Sequence, residues 1–271
     1  MLATKAEADR AYDSTTFIPG GSEFSDRWAK DAAAFRQTAN ALLDVPYGEG
    51  ERERYDIFWP GGPAHGLVVY IHGGYWMRFD KSSWSHLAAG PLEYGFAVMM
   101  PTYPLCPDER ISTITQCVAR AIDHVAHKVD GPIIVGGHSA GGHLAARMAC
   151  RPSPLSPPTA ERLQKVISIS GLHDLRPLLK TTRNDTFGLT LEEACAESPA
   201  LLYPAPIDVV AWVGDGERPE FRRQNTMLSV MWQGLARSVR HVEAYDRHHF
   251  DVIADLADPS SALTNAFISP D

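Results

Sequence analysis

No two cysteines of this chain stand close together: Cys106, Cys117, Cys150 and Cys195 are its four, and they are widely spaced. That spacing excludes a C-x-x-C redox or zinc motif and offers no disulfide framework, so reduced thiols are expected. Long apolar runs are also missing, and none approaches the roughly 20 residues that a membrane-spanning helix needs. The opening MLATKAEADRAYD has neither the apolar stretch nor the small-residue cleavage site of a secretory leader. Excess positive charge is absent too. Against 25 Lys and Arg stand 33 Asp and Glu, a formal charge of −8, which argues against a nucleic-acid or anionic-membrane surface. There is no internal repeat and no low-complexity tract. What remains is the profile of a cytoplasmic globular protein that acts on a small molecule, with a homodimer compatible with the sequence.

The elements that are present alternate. Strands are expected at Arg54–Trp59, Leu67–His72, Ala97–Met100, Pro132–Val135, Val166–Ser170, Asp208–Val213 and Arg240–Tyr245, several of them unbroken apolar runs. Amphipathic stretches lie between them; in Ile111–Val129, Ile114, Cys117, Val118, Ala121, Ile122 and Val125 share one face. Ahead of the strands, residues 1–45 are expected to form a helical segment packed on the rest, with Trp28, Ala32, Phe35, Ala39 and Leu42 on one stripe. The pattern predicts a single α/β domain over residues 1–271, with a mostly parallel, doubly wound sheet flanked by helices. Ligands in such sheets bind outside the carboxyl ends of the strands, so chemistry is sought there.

The strand Ile133–Val135 runs into Gly136-Gly137-His138-Ser139-Ala140-Gly141-Gly142-His143 and then a helical run. Gly137 to Gly141 fits G-x-S-x-G, in which small residues on either side let the chain turn sharply from strand to helix and expose the serine hydroxyl. Serine needs a base, and the base an orienting acid, in the order serine, acid, histidine. The strand Val209–Val213 is followed by GDGERPEF, and Arg240–Tyr245 by DRHHFDVI. Adjacent His248 and His249 leave the base ambiguous. Asp215 and Glu217 do the same for the acid, with Glu217 favoured because Asp215, between glycines, suits an Asx turn. Asp174 ranks third.

Leu67–Ile71 leads into His72-Gly73-Gly74-Tyr75-Trp76. Two glycines give up side-chain packing, which suits a tight turn or backbone amides that must approach a ligand. With a nucleophilic serine in the chain, the second reading gains weight: the N–H groups of Gly73, Gly74 and Ala140 are expected to stabilise an oxyanion. His72 is expected to brace that loop. Tyr75, Trp76 and His138 are expected to wall the substrate pocket.

HGGYW at 72–76, GHSAGGH at 137–143 and RPEF…Q from Arg218 to Gln224 together resemble the kynurenine formamidase (arylformamidase) branch of the α/β hydrolases, close to the HGG-type carboxylesterases. So do ISGLHDLRPL from Ile169, Asn184, LTLEEA from Leu189, Ser198-Pro199, LLDVPYGEGERERYDIFWP from Leu42, and the closing HHFDVI. The resemblance covers about Leu42 to Ile253. It implies an α/β-hydrolase fold and hydrolysis of N-formylkynurenine to kynurenine and formate, a step of tryptophan catabolism, with no metal or organic cofactor. It further implies Ser139 as nucleophile, His249 as base and Gly73, Gly74 and Ala140 as oxyanion donors. The position that commonly holds aspartate in the family falls on Glu217. A general carboxylesterase is the alternative within the fold, and a non-catalytic ligand receptor the alternative outside it.

Overall fold

The computed structural model describes residues 4–269. Its strands are β1 (Ala41–Pro46), β2 (Arg54–Phe58), β3 (Leu67–Ile71), β4 (Ala97–Pro101), β5 (Ile133–His138), β6 (Cys150–Arg151), β7 (Leu163–Ile169), β8 (Tyr203–Pro204), β9 (Asp208–Gly214) and β10 (Ser238–Ala244). Eight of them form one sheet in the order β1-β2-β4-β3-β5-β7-β9-β10, while β6 and β8 pair separately. From β4 through β3 to β10 every neighbour is parallel; β1–β2 and β2–β4 are antiparallel. The carboxyl ends of β3, β5, β7, β9 and β10 therefore lie along one edge of the sheet.

The unbroken apolar runs follow from burial on both faces. Side chains alternate along a strand, so Val69, Ile71, Val135 and Val209 enter one core layer. Val68, Tyr70, Ile134 and Val210 enter the other. The helix Ile111–Ala126 covers the first layer with the stripe expected from its sequence. Phe267, from the helix Ala262–Ile268, fills the second against β5, where a side chain at Gly136 would collide with its ring.

One expectation is corrected. The N-terminal segment holds two helices, Lys5–Ala11 and Phe24–Arg36, the second ending well before Leu42, and residues 41–46 form an edge strand on β2. The stripe does reach Trp28 and Ala32, both buried, but Leu42 is 57% exposed and contributes nothing to it. The chain leaves the helix at Gln37 and Thr38, and the Trp59 N–H closes on the Asn40 carbonyl, which sets the pairing. Period alone cannot separate a helix from a helix–turn–strand when the turn residues happen to continue the stripe. Among the described residues no helix is long and apolar enough to cross a membrane.

Candidate active site

Ser139 follows directly on β5 and sits at φ 56°, ψ −118°, a backbone conformation costly for a side-chain-bearing residue. The Ser139 N–H donates to the Ile169 carbonyl at 2.8 Å, tying the turn to the neighbouring strand end. Helix Ala140–Met148 starts at the next residue. The glycines of the motif are explained by contact: a Cβ on Gly141 would overlap the Ile71 carbonyl, and one on Gly137 the Gly141 carbonyl. The elbow needs both to be bare.

His249, which lines the same cleft as Ser139, pairs with Glu217. Nδ1 of His249 donates to Glu217 Oε2 at 2.6 Å, with both side chains almost fully buried. Glu217 Oε1 accepts from the Gly214 N–H at 2.9 Å and from the Ser170 hydroxyl. Every lone-pair direction that matters is therefore occupied, and the carboxylate is fixed in one orientation. The competing residues point elsewhere. Nδ1 of His248 accepts from the N–H groups of Phe250 and Asp251 at 3.2 Å, and its ring packs edge-on against Phe24. Asp174 pairs with Arg176. Asp215 accepts from the Asp246 N–H at 2.9 Å, so it joins the acid-bearing loop to the histidine-bearing loop instead of capping its own turn.

The loop after β3 brings Gly73 against the elbow: a Cβ there would lie 2.9 Å from the His138 carbonyl and 3.2 Å from the Ser139 Cβ. Gly74 has φ 111°, the region that favours glycine, and Arg78 fills the space a side chain would need. Among the described residues, the N–H groups of Gly73, Gly74 and Ala140 donate to no protein acceptor. His72 does brace the loop. Its Nδ1 donates to the Gly73 carbonyl at 2.7 Å, and its ring stacks on Tyr103 with centroids 4.3 Å apart. Burial pushes its pKa down to about 4, so the brace is neutral.

Ser139, His249, Gly73, Gly74, Tyr75 and His138 line one cleft. Burial and the adjacent His249 ring, 4.6 Å away, hold the His138 pKa well below the ordinary imidazole value. Trp76 is a correction. It is fully buried and stands outside the lining, packed edge-on against His143 and Phe187 beneath the loop. A bulky aromatic beside two glycines reads equally as wall or as core, and here it is core.

Sequence reasoning missed most of the opposite wall. Ser14, Thr15, Gly21, Ser25 and Trp28 roof the cleft, and Arg183 and Phe250 complete it. Ser170, which orients Glu217, was also missed as a site residue, although its place after β7, where ligand-binding residues gather, was a usable signal. Among the described residues no group of three His, Cys, Asp or Glu side chains converges as a metal ion would require.

Comparison with known proteins shows the family. A family model described as the α/β hydrolase fold matches residues 68–244. Kynurenine formamidase of Danio rerio is 30% identical over 245 residues, 86% of this chain and 83% of its own. That of Salmo salar is 32% identical over 248 residues with the same coverage. A crystal structure from Silicibacter sp. TM1040, for which thioesterase activity has been proposed, is 46% identical with TM-score 0.91, covering 97% of this chain and 99% of that one. A thermostable carboxylesterase from a metagenomic library, 16% identical with TM-score 0.69 over 92% and 98% of the two chains, shares the fold. The chain is a hydrolase and belongs to the α/β-hydrolase fold family, on its arylformamidase-like branch.

Proposed function

We propose that this hydrolase cleaves aryl formamides, with N-formylkynurenine giving kynurenine and formate, through a Ser139–His249–Glu217 triad. The observation that carries the reading is the 2.6 Å contact to Glu217, itself held by Gly214 and Ser170, from His249, which shares a cleft with Ser139 and with unpartnered backbone donors. The formamide comes from the relatives named kynurenine formamidase, which match 86% of the chain.

In the first half-reaction His249 Nε2 takes the Ser139 proton as Oγ bonds to the formyl carbon. Negative charge moves to the formyl oxygen, where the N–H groups of Gly73, Gly74 and Ala140 receive it. Glu217 holds the imidazole tautomer and stabilises the imidazolium. His249 then gives the proton to the aryl nitrogen, the C–N bond breaks, and the amine departs. In the second half His249 takes a proton from water, whose oxygen attacks the formyl-serine. Formate leaves and Ser139 recovers its proton.

A second reading, hydrolysis of small esters or thioesters, is favoured by the 46%-identical structure. It uses the same groups. Steady-state rates on N-formylkynurenine, formanilide, p-nitrophenyl acetate and an acetyl thioester decide between them. Formamide turnover with kcat/KM above that of the esters supports the first reading. Negligible formamide turnover beside efficient ester or thioester cleavage overturns it.

A further inference from the structure

The chain carries eight more acidic than basic side chains by formal charge, yet the lining of the cleft includes two arginines, Arg78 and Arg183, and no Asp or Glu. Among the described residues neither arginine has a carboxylate within ion-pair distance. Arg78 lies over the Phe79 ring, 5.3 Å from its centroid, at the exposed mouth. Arg183 is half-buried and lies 4.5 Å over the ring of Tyr75, the residue that follows the two loop glycines. Asp9 and Asp13, which share a neighbouring surface cleft with Arg183, attract it at longer range while their oxygens accept from Thr182 and Thr16, so the guanidinium has no direct carboxylate partner of its own.

The backbone presents Arg183 firmly. The N–H groups of Thr186 and Phe187 both close on its carbonyl at 3.0 Å. The Asn184 side chain then locks the following turn, accepting from the Leu189 N–H at 2.9 Å and donating back to the Leu189 carbonyl. The cleft wall itself thus offers cationic side chains and no carboxylate to a bound substrate.

We infer that Arg183 receives a carboxylate on the leaving-group portion of an aromatic substrate, and so makes this enzyme prefer substrates that carry one over those that do not. The planar fork of Arg183 matches a carboxylate in two-point fashion, and its stacking on Tyr75 leaves the N–H edge for that contact. Arg78 adds long-range attraction at the mouth. The inference rests on the hydrolase reading of the cleft but not on the formamide, and the test separates the two.

Two substrate pairs are compared: N-formylkynurenine with formanilide, and 3-(4-acetoxyphenyl)propionate with phenyl acetate. Within each pair the bond cleaved is alike and the second member lacks the carboxylate; formanilide also lacks the ketone and the ammonium of N-formylkynurenine, so the ester pair is the one that isolates the carboxylate. The quantity read is the ratio of kcat/KM, acidic over neutral. Wild type should prefer the acid in at least the ester pair, through KM, with a preference that shrinks at high salt. Arg183→Gln should reduce the ratio by about 10-fold or more, as loss of a hydrogen bond to a charged group implies. Arg183→Lys should restore part of it. If formanilide and N-formylkynurenine are both inert while the ester pair shows the Arg183-dependent preference, the formamide reading falls and this one stands. If the ratio in Arg183→Gln equals that of wild type in every pair turned over, the carboxylate site is overturned.

Discussion

The Ser170 hydroxyl donates to Glu217 Oε1 while His249 holds Oε2 of the same carboxylate. Ser170 itself sits at φ 52°, with its N–H on the Trp212 carbonyl at 2.7 Å, so its place at the end of β7 is fixed independently of the acid. It acts as a positioning residue. Ser170→Ala should lower kcat about 10-fold and leave KM near wild type, because only the orientation of the acid is loosened. An unchanged kcat would show that the Gly214 N–H suffices alone.

Glu217→Gln keeps the shape and removes the charge, and turnover should fall by about two to four orders of magnitude, by analogy with the serine-protease case. Asp215→Asn should be mild, since an amide oxygen can still accept from Asp246. A ranking in which Asp215→Asn is the crippling change would transfer the acid to Asp215. Steady-state kcat with circular dichroism as a folding control distinguishes the outcomes.

His249→Ala should abolish turnover about as completely as Ser139→Ala, because base and nucleophile act as one unit. His248→Ala should retain most activity and lose about 1 kcal/mol of stability through its two backbone contacts. Kinetics paired with urea unfolding of the two variants reads both numbers.

Ser139→Ala and Ser139→Gly should be equally inactive but not equally stable. At φ 56° glycine relieves a strain that alanine keeps, so the glycine variant should be more stable by about 1 kcal/mol. Equal unfolding midpoints would mean that the turn holds no appreciable strain.

His72, His143 and His173 are fully buried, and burial lowers their pKa values to about 4, about 4 and about 3. Each stays neutral when folded and takes up a proton only on unfolding. Between about pH 6.5 and 4 the unfolded chain thus binds more protons, so stability is full above that window and is lost as pH falls through it. The slope is up to about 1.4 kcal/mol per pH unit for each histidine. The urea midpoint at pH 5 should lie clearly below that at pH 7, and His143→Gln should flatten the dependence. A pH-independent midpoint would contradict the burial argument.

Much of this could be read in the residues because the relevant physics is local. An apolar run such as Leu67–Ile71 announces a strand buried on both faces, and Gly137 and Gly141 around Ser139 announce a turn with no room for side chains. The order of GDGERPEF and DRHHFDVI follows from strand ends sharing one edge. What stayed hidden depends on distant partners. Ser14 and Thr15 are ordinary loop residues until the fold lays them over the cleft, and Arg183 is an ordinary cation until Tyr75 lies beneath it. Trp76 could not be placed because an aromatic has the same local signature in a wall and in a core.

The cleft is roofed by residues 14–28 and closed by His249 and Phe250, with the serine near the middle of the chain. During synthesis the roof emerges first and the base last. A nascent chain that has already folded Ser139 into its elbow still holds a hydroxyl with nothing to remove its proton. On the proposed assignment, turnover therefore needs the last strand of the sheet, which leads to His249, as much as it needs the elbow at Ser139.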